Sequence, residues 1–183
     1  MPKITQQPLP DIIKPVFKKL GIKIRKYKSP ASFEKDLKKF VQRNEVLHLS
    51  TSKKDKPRST PLGYMAKGLT VFILSEGGGK FNNLKDNKDI SFSIAEPYNV
   101  KKDFFGDRGL QAWGKAKVYS MKDNYEQFRD ALKKMNIKRG KRNLEPGDLP
   151  SIFHYRIIEI TPDRIKYRNA REGVFNVTWQ RKG

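Results

Sequence analysis

The chain has 183 residues, of which 36% are hydrophobic and 32% charged, and it carries a formal net charge of +21. It contains no cysteine and two histidines, which excludes disulfides and thiolate chemistry, argues against a metal site and suits a reducing interior. There is no signal-peptide pattern and no run of about 18 apolar residues, so we expect a soluble cytoplasmic protein without a membrane span.

The positive charge indicates an anionic partner of some kind. An excess of this size attracts anions and speeds their association, but it says nothing about the fold. Nucleic acid, an anionic membrane, a phosphorylated ligand and an acidic protein all remain candidates at this point. The basic residues are densest at 23–28, 53–58, 133–134 and 138–142.

Residues 1–28 are predicted to form a basic N-terminal extension, followed by one domain over residues 29–183. The extension is rich in proline, and one helical face could carry five apolar residues: Ile12, Ile13, Val16, Phe17 and Leu20. One interpretation is a surface helix for an anionic membrane or a partner. Because Pro15 interrupts the pattern, we favour an arm packed on its own domain or on a second subunit.

The first helix of the domain is predicted to begin at Pro30. Ser29 is a good N-cap, and proline is favoured at the first helical position. Phe33, Leu37, Phe40 and Val41 recur at helical spacing, which indicates a face packed on the core. A second amphipathic helix is predicted from Tyr125, Phe128, Leu132 and Met135.

The rest of the chain is predicted to be mainly strands. Short β-rich runs alternate with turn-like spacers, and Ile90, Phe92 and Ile94 alternate with serines, as in a half-buried strand. Gly114 should bend the long strand over residues 108–120. The segment "TPD" (161–163) is predicted to be a turn between two strands. We expect a mainly β fold, an antiparallel split barrel of about six or more strands with helices packed outside.

The stretch "LSEGGGKFNNLKD" places three consecutive glycines before a lysine and a short helix. Such glycines allow successive N–H groups to form an anion nest at a helix start, and Lys80 would add a full charge. A flexible turn would have the same glycines, and spacing alone does not decide between the two. The spacing matches neither a Walker A loop nor a dinucleotide fingerprint.

The neighbouring strands favour the phosphate site. A hairpin should bring Arg58 close to the end of the strand that precedes the glycines. Arg58, Ser75 and Lys80 could then converge at one end of a barrel, where charge-assisted hydrogen bonds would contribute about 1.5–3 kcal/mol each to holding a phosphate.

The block from Leu47 to Ile94 resembles the FMN-binding split barrel of the pyridoxamine-phosphate-oxidase-like superfamily. The resemblance lies in an Arg-x-x-Pro-like strand at Arg58, a strand ending at Ser75, and a lysine-bearing helix start followed by "NL". The segments "RGLQAWGKAKV" and "ITPDRIKY" look like later strands of that family, so the resemblance covers about residues 33–180.

The resemblance implies an FMN site, for which no residue with a catalytic role can be named. The strand formed by Arg58, Ser59, Thr60, Pro61 and Leu62 would lie along the flavin. Leu74 and Ser75 would contact the ribityl–phosphate region, Gly79 and Lys80 the phosphate, and Asn83 would contribute or only brace the helix. In the family the site lies between two subunits, which implies a homodimer and makes Gln111 and Trp113 further candidates.

The implied activity is that of an FMN-dependent oxidoreductase, with hydride transfer between flavin and a small substrate or a nicotinamide donor. The oxidase proper has an Arg-x-His arrangement near its C-terminus, whereas Arg171 here is followed by no such histidine. The broader relatives use FMN, haem or a deazaflavin. A nucleic-acid-binding basic barrel and a non-catalytic flavin- or haem-binding protein are the alternatives.

Several side chains have two interpretations. His48 and His154 could be an acid, a base or a haem ligand, but both fall in strand patterns, where a structural role is commoner. Tyr64, Tyr98 and Tyr167 could stack on a ring or fill the core.

Overall fold

The computed structural model describes residues 1–182 and shows a mainly β, antiparallel architecture, as predicted. Within these residues nine strands form one sheet. They are β1 (Lys3–Gln6), β2 (Val46–Lys53), β3 (Lys56–Gly63), β4 (Met65–Lys67), β5 (Thr70–Ser75), β6 (Asp89–Ala95), β7 (Arg108–Ser120), β10 (Arg156–Asn169) and β11 (Val174–Gln180). The short strands β8 (Lys138–Arg139) and β9 (Arg142–Asn143) pair only with each other.

The strand order explains why the barrel is split. Along the main path the strands lie in the order β1-β11-β10-β7-β6-β2-β3, and β5 pairs with β4 and with β10. The first half of β10 pairs with β5 and the second half with β11, whereas β7 follows β10 along its whole length. Strands β3 and β5 contact each other, but no registered pairing joins them. This unpaired line between β3 and β5 is called the seam below.

The predicted turn at 161–163 is wrong, because β10 continues through it as one strand. The register of the β7–β10 pair shifts between Pro162 and Arg164, so the three residues form an irregularity rather than a hairpin. Gly114 lies opposite Pro162, and a Cβ at Gly114 would come within 2.9 Å of the Thr161 carbonyl oxygen. The irregularity lies in β10, opposite Gly114 and at the point where β10 changes its partner. The bend predicted at Gly114 itself stays a prediction.

The helices lie at α1 (Lys14–Lys19), α2 (Pro30–Arg43), α3 (Gly79–Asp86) and α4 (Tyr125–Met135). Helix α2 begins as predicted, because the Ser29 hydroxyl accepts a hydrogen bond from the Ser32 N–H at 3.2 Å. The apolar stripe of α2 is buried, and so are Phe128, Leu132 and Met135 of α4. None of the helices within residues 1–182 is long and apolar enough to cross a membrane.

The two faces of the sheet differ in character. Leu47, Leu49, Phe92 and Ile94 point into the main core, with Ile90 in the same cluster. The alternate residues of β2, β3, β6 and β7 point outwards and are exposed or partly buried. Register places them in two rows: Pro61, His48, Ser93 and Gln111; and Ser59, Ser50, Ser91 and Trp113.

The N-terminal segment packs against its own chain. Strand β1 pairs with β11, and Phe17 of α1 is buried in a small cluster with Leu9, Ala170 and Phe175. The other apolar residues of the predicted face remain at the surface or only partly buried: Ile12, Ile13, Val16 and Leu20. The domain boundary at residue 28 stays a prediction.

Candidate functional site

The glycine turn starts helix α3 at the seam. Gly78 is the N-cap residue and has a φ of 105°, a conformation that favours glycine. The side chain of Lys80 folds back over the turn, and its ammonium donates to the carbonyl oxygen of Gly77. Lys80 is only 6% exposed, which is unusual for a lysine. The turn is thus a defined structure with a positive charge held against it.

Arg58 approaches the same turn from the other side of the seam. Its partner in the sheet is Thr51 of β2, and its guanidinium lies beside Gly79. A Cβ on Gly79 would stand 2.9 Å from Nη1 of Arg58 and 3.2 Å from its Cζ. A side chain at Gly79 would therefore have to displace the Arg58 guanidinium.

A third cation, Arg156, completes the group. Ser75 at the end of β5 pairs with Arg156 at the start of β10. The guanidinium of Arg156 lies over the Phe81 ring at 4.9 Å from its centroid, and the ammonium of Lys80 lies 4.8 Å from the same centroid. We call Arg58, Lys80 and Arg156, together with the α3 start, the anion seat.

The electrostatics of the seat show that these cations affect one another. Burial lowers the pKa of Lys80 below its usual value, and the charges of Arg58 and Arg156 lower it further. Glu76, exposed in the same turn, acts in the opposite direction. Within residues 1–182 none of the three cations of the seat forms an ion pair. An anion bound here would relieve their mutual repulsion.

The side chain of Arg156 is positioned by contacts that run through His154 to Ser120. Its Nη2 lies 3.1 Å from Nδ1 of His154, and Nε2 of His154 lies 2.8 Å from the hydroxyl oxygen of Ser120. The same hydroxyl oxygen accepts hydrogen bonds from the N–H groups of Lys122 and Asp123. Both nitrogens of His154 are therefore in use, which suits a structural role and leaves neither free for a haem iron.

The other residues of β3 that were predicted to lie along the flavin alternate between the two faces of the sheet. Leu62, Thr60 and Arg58 pair with the inward-facing residues of β2, and the alternate Ser59 and Pro61 point to the outer face. Thr60 Oγ1 is buried and has no hydrogen-bond partner in the part of the chain described. Such an orphaned hydroxyl is a candidate donor or acceptor for a ligand.

Three further residues predicted for the site have different surroundings: Leu74, Ser75 and Asn83. Leu74 is partly buried against the cluster formed by α4 and β10, and Ser75 ends β5 directly before the turn. The Asn83 side chain donates to the Thr51 hydroxyl at 3.0 Å, which ties α3 to β2. This contact gives Asn83 the bracing role; a contact with the ligand stays a prediction.

Gln111 and Trp113 are not brought to the seat of their own chain. Both lie on β7, which β6 and β2 separate from β3, and both belong to the outward-facing rows. The guanidinium of Arg164 lies 4.1 Å from the centre of the Trp113 ring. Their predicted role requires a second subunit, and it stays a prediction.

Of the other candidates, Tyr64 and Tyr167 fill the core. The Tyr64 hydroxyl donates to the Val41 carbonyl oxygen at 2.6 Å, and burial raises the pKa of its phenol well above the usual value. Tyr98 and His48 are exposed. Arg171, the residue that marks the departure from the oxidase proper, forms an ion pair with Asp103.

Sequence reasoning missed Arg156, which it treated as part of a strand. The sequence signal was a basic residue at the start of that strand, but this residue points to the site only once β10 is known to pair with β5. That pairing joins segments far apart in the chain and is not encoded in either of them alone. The contact between Arg58 and the glycine turn could be anticipated, because β3 and β5 are close in sequence.

With the geometry established, comparison with known proteins places the chain in a family. The family model described as pyridoxamine 5'-phosphate oxidase matches residues 33–169. The chain belongs to this family, although it lacks the Arg-x-His arrangement of the oxidase proper near its C-terminus. No curated protein matches the sequence significantly.

Solved structures share the fold at low identity. A conserved hypothetical protein from Mycobacterium tuberculosis is 15% identical, with a TM-score of 0.57 over 82% of this chain and 91% of that one. A Clostridium acetobutylicum protein related to general stress protein 26 is 14% identical, with a TM-score of 0.55 over 81% and 94%. A NimC/NimA family protein of the same organism is 15% identical, with a TM-score of 0.52 over 79% and 91%. These likenesses show the fold alone.

Proposed function

We propose that the chain binds FMN at the seam, with the flavin's phosphate on the anion seat. The observation that carries this proposal is the convergence of Arg58, Lys80 and Arg156 on a glycine turn without a carboxylate partner in the described chain. A phosphate carries about two negative charges near neutral pH, with three strong acceptor oxygens. It would satisfy cations that otherwise repel one another.

The residues present fit an FMN molecule in three further respects. Gly78 lets a phosphate approach the backbone closely, and the N–H groups at the α3 start favour an anion. The inward hydroxyl of Thr60 is buried without a partner, so a polar group of the ligand could pair with it. Family membership supports the same ligand class.

The activity that we propose is that of an FMN-dependent oxidoreductase acting on a small molecule or a nicotinamide donor. When bound, FMN supplies the hydride chemistry, so the protein needs no nucleophile, in keeping with a chain without cysteine. The seat would fix the phosphate, and the β3 backbone and Thr60 would orient the rest of the ligand. A non-catalytic flavin carrier would use the same seat; only turnover separates the two.

We also propose that the protein is a cytoplasmic homodimer, with the outward-facing rows in or near the interface. The rows combine small hydroxyl residues with the partly buried Trp113 and the exposed Gln111. Such a face can lie close against a copy of itself. A dimer would bring Gln111 and Trp113 of one subunit towards the seam of the other.

The test is an absorption spectrum of the purified protein before and after adding FMN, with any released ligand identified by mass spectrometry. A flavin spectrum and released FMN are expected, and size-exclusion chromatography should show twice the mass of one chain. A haem spectrum would replace the proposed chemistry. A colourless protein that takes up no FMN would contradict the proposal.

A further inference from the structure

The N-terminal helix carries more apolar surface than its packing uses. Helix α1 has six residues, and Phe17 is the one that is buried. Ile12, Val16 and Leu20, in and beside α1, are 83%, 40% and 46% exposed. Single apolar side chains are common on protein surfaces, whereas a group of them marks an interaction surface.

Phe104 extends this apolar surface from a second segment of the chain. Phe105 packs edge-on against Phe17 with the ring centroids 5.3 Å apart, and Phe104 packs edge-on against Phe105 at 5.2 Å. These contacts place Phe104 close to α1, yet its side chain is 72% exposed. We call four exposed side chains the apolar patch: Ile12, Val16, Leu20 and Phe104.

The domain holds the apolar patch in a defined position. A helix of six residues is not stable by itself in water, so contacts with the domain must fix α1. Gly21 ends the helix with a φ of 66°, and the Ile22 N–H donates back to the Phe17 carbonyl oxygen at 2.9 Å. The Arg25 N–H then donates to the Gly173 carbonyl oxygen at 3.0 Å. The exposed side chains therefore belong to a fixed surface of the protein.

The free charges beside the apolar patch are positive. Lys18 and Lys19 of α1 are exposed and form no ion pair within residues 1–182, and the same holds for Lys23 after the helix. The nearby carboxylate of Asp11 already pairs with Lys14 at 2.6 Å. The surface therefore combines apolar side chains with unpaired ammonium groups.

A groove of about 490 Å³ lies beside α1 and has the same mixed character. Its lining combines three apolar side chains with three lysines: Phe17, Ile22, Ile24, Lys14, Lys18 and Lys23. The lysines are exposed and Phe17 is buried, so carbon lies at the base of the groove and charge lies nearer the solvent. Such a groove suits an amphiphile with an anionic end.

We propose that the apolar patch and the lysines beside it dock the protein on an anionic lipid bilayer. Apolar side chains next to lysines are typical of interfacial membrane-binding segments: the apolar groups enter the boundary between headgroups and acyl chains, and the ammonium groups contact the anionic headgroups. The two interpretations of the N-terminal sequence are then compatible. Helix α1 packs on its own domain through Phe17, and the residues left exposed face the membrane.

Two other partners suit this surface less well. Three of the four side chains of the apolar patch are aliphatic and offer no ring on which a base could stack, which disfavours single-stranded nucleic acid. A second copy of the chain would bring lysines against lysines, which disfavours self-association through the patch. Docking of this kind requires no flavin, since α1 and the anion seat share no residue.

The experiment measures co-sedimentation of the full chain with vesicles of phosphatidylcholine alone and of phosphatidylcholine with about one third phosphatidylserine. The variant Lys18→Gln/Lys19→Gln removes two charges from α1. The control Lys67→Gln/Lys133→Gln removes two charges from exposed lysines of β4 and α4 that form no ion pair in the described chain.

A second pair of variants tests the apolar side chains at constant charge. Ile12→Gln/Phe104→Gln alters the apolar patch. Ile152→Gln/Phe153→Gln makes the same changes at side chains that are 83% and 44% exposed elsewhere on the surface. All the substituted side chains are exposed, so melting temperatures should stay within a few degrees of wild type.

Wild type is expected to bind the vesicles with phosphatidylserine at least about tenfold more tightly than those without it. Each α1 or patch variant should lose about tenfold in affinity for the anionic vesicles, and each control should stay close to wild type. Absence of binding to anionic vesicles at low salt, or equal losses in variants and controls, would overturn the proposal.

Size-exclusion chromatography without lipid and titration with a single-stranded oligonucleotide, on the same variants, test the other partners. A halved mass of Ile12→Gln/Phe104→Gln would assign the patch to a second copy of the chain. Oligonucleotide binding that Lys18→Gln/Lys19→Gln abolishes, without any vesicle binding by wild type, would assign the lysines to nucleic acid. Either result would overturn the proposal, whereas an unchanged mass and vesicle binding sensitive to both variants would support it.

Discussion

Two basic regions of this protein differ in how their charges are satisfied. In the hairpin of β8 and β9, Arg139 and Arg142 both pair with Asp148, at 2.8 and 2.6 Å. In the anion seat, Arg58, Lys80 and Arg156 face one another without a carboxylate partner in the described chain. We infer from this comparison that the density of basic residues says little about binding, whereas cations that lie close together without a carboxylate partner favour an anionic ligand.

This difference also bears on the nucleic-acid alternative. The sequence of the loop, "NIKRGKRNLEPGD", is among the most basic runs of the chain, but two of its arginines are engaged within the loop itself. Its charge therefore contributes to local structure before any partner binds. The overall charge can still concentrate anionic ligands around the protein, including a phosphorylated cofactor.

The largest expected effect comes from removing one arginine from each region. Arg58→Gln should weaken FMN binding by about tenfold to a hundredfold, because it removes a charge-assisted hydrogen bond to the phosphate. Arg142→Gln removes the same charge from the hairpin and should leave FMN affinity nearly unchanged. Isothermal titration calorimetry with FMN measures the affinity of both variants. Equal losses of FMN affinity would show that only net charge matters.

Removing the carboxylate of Asp148 should lower the stability of the fold without changing FMN binding. The arginine pair and the backbone N–H of Glu145 lower the pKa of Asp148 well below its usual range. The carboxylate therefore stabilises the fold above its unfolded pKa of about 4, and this contribution is lost as the pH falls through the lower folded value. Asp148→Asn should lower the melting temperature by a few degrees at neutral pH. It should leave FMN affinity unchanged, as measured by calorimetry and titration.

An intermediate effect is expected from pH. Lys80 must be protonated to hold a phosphate, and its pKa in the free protein is below the usual value. FMN affinity should therefore fall as the pH rises through this lowered pKa, with a proton taken up on binding at alkaline pH. Titrations in buffers of different ionisation enthalpy measure that uptake. An affinity for FMN that declines no earlier than expected for an ordinary lysine would contradict the assignment.

The smallest effect is expected from Gly79→Ala. The added methyl group would meet the guanidinium of Arg58 at 2.9 Å, and a flexible guanidinium can move aside. FMN affinity should fall only a few-fold, with the melting temperature almost unchanged, since alanine suits a helix start better than glycine. Gly77→Ala, where a Cβ would meet nothing within 4 Å, is the matched control.

Local features of the fold could be predicted from the sequence, and long-range ones could not. The Ser29 cap, the stripe on α2 and the alternation along β6 depend on neighbouring residues, which periodicity reveals. The "TPD" segment has turn-like residues, but pairing with β7 keeps it in a strand. In the candidate site, the sequence predicted the glycine turn and Arg58. It did not predict Arg156, whose position depends on the pairing of β10 with β5, or the ion pairs of Asp148, which depend on how its loop folds.

The central claim is that the seat recognises the phosphate of the flavin, and the most direct test compares FMN with riboflavin on wild type and on Lys80→Met. Methionine keeps the apolar packing on Phe81 and removes the charge. Fluorescence titration should show FMN bound at least about tenfold more tightly than riboflavin by wild type. This preference should largely disappear in Lys80→Met, while riboflavin affinity stays the same. Equal affinities of wild type for FMN and riboflavin, or an unchanged preference in the variant, would contradict the claim.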